Sequence, residues 1–166
     1  MRSTLRPADP CDAPDIVNLR DRIARWMVDR GIRQWSPGEY PIATAADEAA
    51  RGEWFVARDE AGCLAATVRL IWSDPRFWGD ADAPAGYVHG LMVATASTVR
   101  GRDVLDFAAE RTLERGLDRL RLDVVGHNDV LVRFYADYGF TEVGRARLPH
   151  PFPDYEIALM EKPLSP

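Results

Sequence analysis

Between Gly86 and Phe140 the sequence gathers residue types that do chemistry, at spacings that would bring several of them together. Tyr87-Val88-His89-Gly90-Leu91-Met92-Val93 reads as a strand and Arg100-Gly101-Arg102 as a basic turn opening a helix. Asn128 and Tyr135 then fall on a second helix that Gly139 stops. A basic, glycine-containing turn at a helix start presents unpaired N–H groups and the positive end of the helix dipole, which suits a phosphate. His89 is of the side-chain type that titrates near neutrality, so it is a candidate base, and it shares one strand face with Tyr87 at i and i+2. Glu53 and Asp74 are further candidates for a base or an amine anchor. The whole reads as a cofactor site.

These residues need elements to position them. Asp12-Ala13-Pro14-Asp15 is a helix start with Asp12 as cap, followed by Ile16, Leu19, Ile23 and Trp26 or Met27 at helical spacing until Gly31. Thr44-x-x-Asp47 opens a second short helix ending near Gly52. Residues 54–58 and 63–71 read as a hairpin around Asp59-Glu60-Ala61-Gly62. From Trp72 to Gly86 the chain is too rich in Pro and Gly for regular structure, yet it carries Trp72, Phe77 and Trp78, which either wall a substrate pocket or pack over the core. Val104, Leu105, Ala108, Ala109 and Thr112 mark a helix face, and Arg119 to Val125 alternates with Leu120, Leu122 and Val124 on one side. Strand, helix and strand in this order predict a right-handed parallel crossover. Thr141 to Arg147 and Asp154 to Glu161 close the chain as an antiparallel pair around Pro149-His150-Pro151-Phe152-Pro153. With a first strand at about Ser3 to Arg6, the order βααβββαβαββ predicts one α/β (α+β) domain over residues 1–166, a mixed sheet flanked by helices.

Composition excludes several classes. A net charge of −5 leaves no broad basic footprint for nucleic acid and weakly favours a cationic substrate. No run approaches the ~20 apolar residues of a membrane span, so no membrane partner is expected. Met1-Arg2-Ser3-Thr4-Leu5-Arg6-Pro7 lacks a signal-peptide core, and Cys11 and Cys63 make no disulfide framework. The expected location is cytoplasmic. No metal-ligand pattern is read.

Asn128, Tyr135, Gly139 and Phe140, with the strand Leu91-Met92-Val93, resemble the later half of the GCN5-related N-acetyltransferase (GNAT) superfamily, where Asn is followed seven residues later by Tyr-x-x-x-Gly-Phe. The element order follows that superfamily over nearly the whole chain. The resemblance implies the acyl-CoA N-acyltransferase fold and transfer of an acetyl group from acetyl-CoA to a primary amine of a small molecule, in the manner of arylalkylamine N-acetyltransferases. It implies that the backbone of Leu91, Met92 and Val93 holds the pantetheine arm, that Asn128 bonds that arm or caps its helix, and that Tyr135 donates to the leaving thiolate. His89 stands where the arylalkylamine enzymes have the second of two histidines, and Tyr87 stands in place of the first. A homodimer, common among relatives, is left open.

The turn departs from the family's Arg/Gln-x-x-Gly-x-Gly. If Arg100-Gly101 is its start, the later glycines fall on Asp103 and Leu105; if Gly101 is its last glycine, Val99 replaces the earlier one and the loop is about two residues short. Arg100 and Arg102 would then bond the pyrophosphate through side chains, where relatives use backbone. The alternative is a catalytically silent binding module of the same fold that has lost normal CoA binding.

Overall fold

Each expected alternation and helical period finds its element in the computed structural model, which describes residues 5–148 and 154–165. The elements are β1 (Arg6–Pro7), α1 (Ala13–Val28), α2 (Ile42–Ala50), β2 (Trp54–Arg58), β3 (Leu64–Ile71), α3 (Pro75–Trp78), β4 (Gly86–Val93), α4 (Gly101–Glu114), β5 (Arg119–Val125), α5 (Asp129–Tyr138), β6 (Thr141–Arg147) and β7 (Glu156–Pro163). The strands form one mixed sheet in the order β1-β2-β3-β4-β5-β7-β6, flanked by the helices. Ser3 and Thr4 of the expected first strand, and the loop Pro149-His150-Pro151-Phe152-Pro153, lie outside the described residues. The chain divides into two compact units, the first running through Arg69 and including Gly90–Leu105, the second comprising Leu70–His89 and the chain from Asp106 onward.

In the first unit α1 buries Ala13, Ile16, Val17 and Leu19, the stripe its period requires. Asp12 does not cap it through its side chain. Asp9 and Asp12 instead form a capping box around the turn Pro10–Asp12. The Asp12 carboxylate also accepts from Arg6 at 2.9 and 3.0 Å and from Arg58 at 2.7 Å, tying β1 and β2 to the helix start. Thr44 does not open α2 either, because the extended backbone of Pro41 (φ −68°, ψ 141°) ends the preceding loop three residues earlier and the helix begins directly after it. β2 and β3 form the expected antiparallel hairpin, with Val56 opposite Thr67. Asp59 closes its loop by accepting from the Ala61 and Cys63 N–H groups.

In the second unit the segment after β3 is more regular than its Pro and Gly content implies. Pro75 sits in the first turn of α3, where a missing N–H costs nothing, and a 3₁₀ turn at Gly79–Ala81 follows. Trp78 is buried edge-to-face against Tyr87 at 5.6 Å, and Trp72 lies beneath the Arg115 guanidinium at 4.6 Å, so both serve packing. Phe77 stacks on His89 at 5.6 Å. β4 and β5 pair in parallel at Gly86 with Leu120 and Tyr87 with Arg121, as the crossover predicts. Gly86 is required there, since a Cβ would lie 2.1 Å from the Thr112 hydroxyl oxygen. β7 then pairs antiparallel with both β5 and β6. Asn128 caps α5 by accepting from the Leu131 N–H at 3.1 Å, and left-handed Gly139 (φ 110°) ends it.

Candidate active site

Strand periodicity assembles the centre of the second unit. Tyr87 lies opposite Arg121 in the parallel ladder, so two residues further along each strand His89 and Asp123 share that face. Asp74, buried at the turn into α3, completes the group: its Oδ2 lies 2.8 Å from His89 Nε2. On the other side of the ring, Asp123 Oδ1 lies 3.8 Å from Nδ1. That oxygen is sealed from solvent and has no hydrogen-bond partner. Burial pushes the Asp123 carboxyl above the usual carboxylate range; His89 opposes the rise and the charge of Asp74 adds to it.

One imidazole thus stands between two carboxylates, a unit that can take a proton at one end and hold the charge at the other. Ligand-type atoms of the three residues lie within 4.8 Å of one another. Because the carboxylates meet opposite ring nitrogens, the geometry suits proton transfer better than chelation of a single ion.

Tyr135 is buried on α5, edge-to-face with Phe134 at 5.2 Å and Phe140 at 5.7 Å. Burial, and then the charge of Asp123, push its phenol well above the ordinary range, so it stays protonated and able to donate. Tyr87 is different. Its hydroxyl donates to the Ala83 carbonyl at 2.7 Å and accepts from the Ala83 N–H and from Arg121, each at 3.0 Å, which makes it a structural anchor. Tyr138 bonds Asp106 at 2.7 Å.

Asp123 was not singled out in the sequence. The available signal was a carboxylate on the strand next to that of His89. Asp74, a candidate base by type, is a partner of His89. Glu53 belongs to the first unit, where burial would raise its carboxyl but Arg51 and Arg69, at 2.6 and 2.7 Å, lower it on balance; it is an ion-pair member.

In the first unit β4 continues through Leu91, Met92 and Val93, with Met92 buried in a core cluster beside Trp54 and Leu19. Gly90 has φ +52°, and a Cβ there would meet the Trp54 ring at 2.4 Å, so only glycine fits. The turn into α4 shows how it tolerates an acid. Asp103 accepts from the Arg100 backbone N–H at 2.9 Å and from the Arg100 guanidinium at 3.0 and 3.2 Å. Asp103 is therefore a cap whose charge Arg100 already balances. Gly101 is the first residue of α4 and the Arg102 side chain beside it is exposed, so this turn brings together the helix's positive end and two arginines, one of them held by Asp103.

A seven-stranded mixed sheet with this crossover and these flanking helices is the acyl-CoA N-acyltransferase fold. The chain belongs to the acetyltransferase (GNAT) family, whose sequence model matches residues 20–140. It is 34% identical over 149 residues to the uncharacterized N-acetyltransferase YesJ of Bacillus subtilis (strain 168), covering 83% of this chain and 81% of the relative. A crystal structure of a GNAT-family acetyltransferase from Listeria monocytogenes superposes with a TM-score of 0.79 at 27% identity, covering 97% of this chain and 94% of the other. The phosphinothricin acetyltransferase of Sinorhizobium meliloti, solved with acetyl-CoA, shares the fold with a TM-score of 0.70 at 18% identity over 99% and 90% of the two chains.

Proposed function

We propose that the protein transfers the acetyl group of acetyl-CoA to the primary amine of a small molecule, arylalkylamines being the first class to test. The carrying observation is the Asp74–His89–Asp123 unit, placed with the protonated phenol of Tyr135 in the second unit. A primary amine with pKa near ~10.4 arrives mostly protonated at neutral pH, so a base must take its proton before attack. In this reading His89 takes that proton, with Asp74 holding the ring. The amine nitrogen bonds the thioester carbonyl carbon, the C–S bond breaks, and Tyr135 donates a hydrogen bond to the leaving thiolate, which takes up the second proton released by the attacking nitrogen.

The co-substrate acetyl-CoA is assigned to the backbone of Leu91, Met92 and Val93 for its pantetheine arm, and to Arg100, Gly101 and Arg102 for its pyrophosphate. Asn128, whose side-chain oxygen caps α5, is also assigned to the arm. That a structural relative was solved with acetyl-CoA supports acetyl-CoA as the co-substrate.

The test is thiol release from acetyl-CoA with a panel of arylalkylamine and polyamine acceptors. Tyr135→Phe removes one hydroxyl and is expected to lower kcat while leaving the Kd for acetyl-CoA unchanged. His89→Gln is expected to flatten the acidic limb of the kcat/KM profile. Equal kcat in a chemistry-limited reaction would remove Tyr135 from the mechanism, and an unchanged profile would remove His89.

A further inference from the structure

The first unit holds a cation whose hydrogen bonding is half used. Arg20, on α1, projects its guanidinium against the rings of Trp35 at 4.8 Å and Tyr40 at 5.2 Å, in the loop between α1 and α2. Its side chain is only 11% exposed. Nη2 donates to Glu39 Oε1 at 2.5 Å, whereas Nη1 is sealed from solvent and meets no acceptor. A buried donor without an acceptor costs its full desolvation, so an unpaired guanidinium nitrogen calls for an explanation.

The surroundings restrict what it can be. Tyr40 donates its hydroxyl to Glu48, which also accepts from the Trp54 indole at 2.8 Å and pairs with Arg69 at 3.2 Å, so the Tyr40 wall of the site has its polar group already bonded. Asp21 accepts from the Gly38 N–H at 3.1 Å and so holds the loop. Glu39 is the movable member: its side chain is 43% exposed, and it engages one nitrogen of a fork built for two. Trp35 and Tyr40 pack on the same core cluster as Met92 and Ala94, so this guanidinium sits in the unit that carries the β4 backbone assigned to the pantetheine arm.

We propose that Arg20 is the recognition site for a carboxylate on the acetyl acceptor, with Glu39 occupying the fork until that carboxylate displaces it. The acceptor is then a primary amine that also carries a carboxylate, an amino acid or a similar amino carboxylate. This deepens the N-acetyltransferase reading and rests on it. A ligand carboxylate bonding Nη1 and Nη2 together forms the bidentate pair that Glu39 does not, and it satisfies the orphaned nitrogen. The aromatic walls exclude water and strengthen the contact.

Calorimetric titration with matched pairs tests the proposal: L-phenylalanine against phenethylamine, and L-lysine against cadaverine, each with the parent, Arg20→Met and Glu39→Gln proteins. A charge-assisted bond of ordinary strength predicts that the parent binds the carboxylated member about tenfold to a hundredfold more tightly. The ratio should collapse toward one in Arg20→Met. It should grow in Glu39→Gln, where the competing carboxylate is gone and Arg20 remains, and this second variant decides the matter if Arg20→Met does not fold. Equal affinities within both pairs in the parent overturn the proposal, as does a ratio that neither variant changes, or no binding of either member in the millimolar range. Acetyl-CoA binding and thiol release are measured separately on the same parent protein. Their failure with the affinity ratio intact would remove the transferase reading and leave the carboxylate site standing.

Discussion

Asp123 is where stability and chemistry pull against each other. Burial raises its carboxyl above the ordinary range, so between its unfolded and folded pKa the native state holds a proton the unfolded chain has released. Stability is then lost as pH rises through that window. Asp123→Asn removes the ionisation and is expected to raise the melting temperature at pH 7–8, by a free energy on the order of 1–3 kcal/mol. The gain should disappear below about pH 4, where parent and variant are both neutral at this position. The same change should lower turnover, because His89 loses the carboxylate facing Nδ1. Melting curves from pH 3 to 8 check the first half and the thiol-release assay the second. A variant less stable than the parent at neutral pH would mean that the His89 charge, and not burial, governs Asp123.

At the scale of elements, the sequence displayed those whose evidence is periodic. The alternation of β5 and the stop at Gly139 could be read directly, and so could the cap at Asn128. What could not be read were the polar side chains whose partners lie far along the chain. Asp12 is the clear case: it looked like a local cap, but Arg58, 46 residues away, and Arg6 claim its carboxylate. Burial alone would raise its pKa, yet the hydrogen bonds from Arg6, Arg58 and the Asp9 N–H bring it to about 2. Since its folded pKa is depressed, its contribution is complete above the unfolded value near 4 and is lost as pH falls toward 2. Asp12→Asn should therefore cost ~1–2 kcal/mol at neutral pH and almost nothing at pH 2, as denaturant titration at the two pH values would show. The candidate site divides in the same way. His89 and Tyr135 were visible from residue type and resemblance, whereas the union of Asp74 with Asp123 required the fold.

The start of α4 gives a second prediction at this scale. Glycine at position 103 removes the carboxylate that accepts from both the N–H and the guanidinium of Arg100, and with it a negative charge at the turn where a phosphate is expected. It also removes a cap, whose loss typically costs ~1 kcal/mol. Asp103→Gly should thus bind acetyl-CoA more tightly and melt at a lower temperature in the absence of ligand. Calorimetry and an apo melting curve separate the two effects. Tighter binding without loss of stability would mean that Asp103 repels the ligand but does not support the helix.

At the scale of the whole molecule, a net charge of −5 opposes the approach of an anionic co-substrate, so any attraction must come from local cations. No helix among the described residues is long and apolar enough to cross a membrane. Two opposed fields should then respond differently to salt. Long-range repulsion is screened once the Debye length falls to about 10 Å, near 0.1 M, whereas arginines in contact with phosphate are screened less. In the parent, contacts from Arg100 and Arg102 should dominate, and added salt should weaken acetyl-CoA binding by competing for them. In an Arg100→Ala, Arg102→Ala double variant the general repulsion is opposed only by the positive end of α4. Its affinity, lower at every salt concentration, should improve as salt rises, reversing the sign of the slope. Calorimetric titration of both proteins between about 0.02 and 0.2 M salt reads the two slopes directly. Parallel slopes would show that these arginines carry none of the binding, and the positive end of α4 would then be the only feature of this turn left to hold the phosphates.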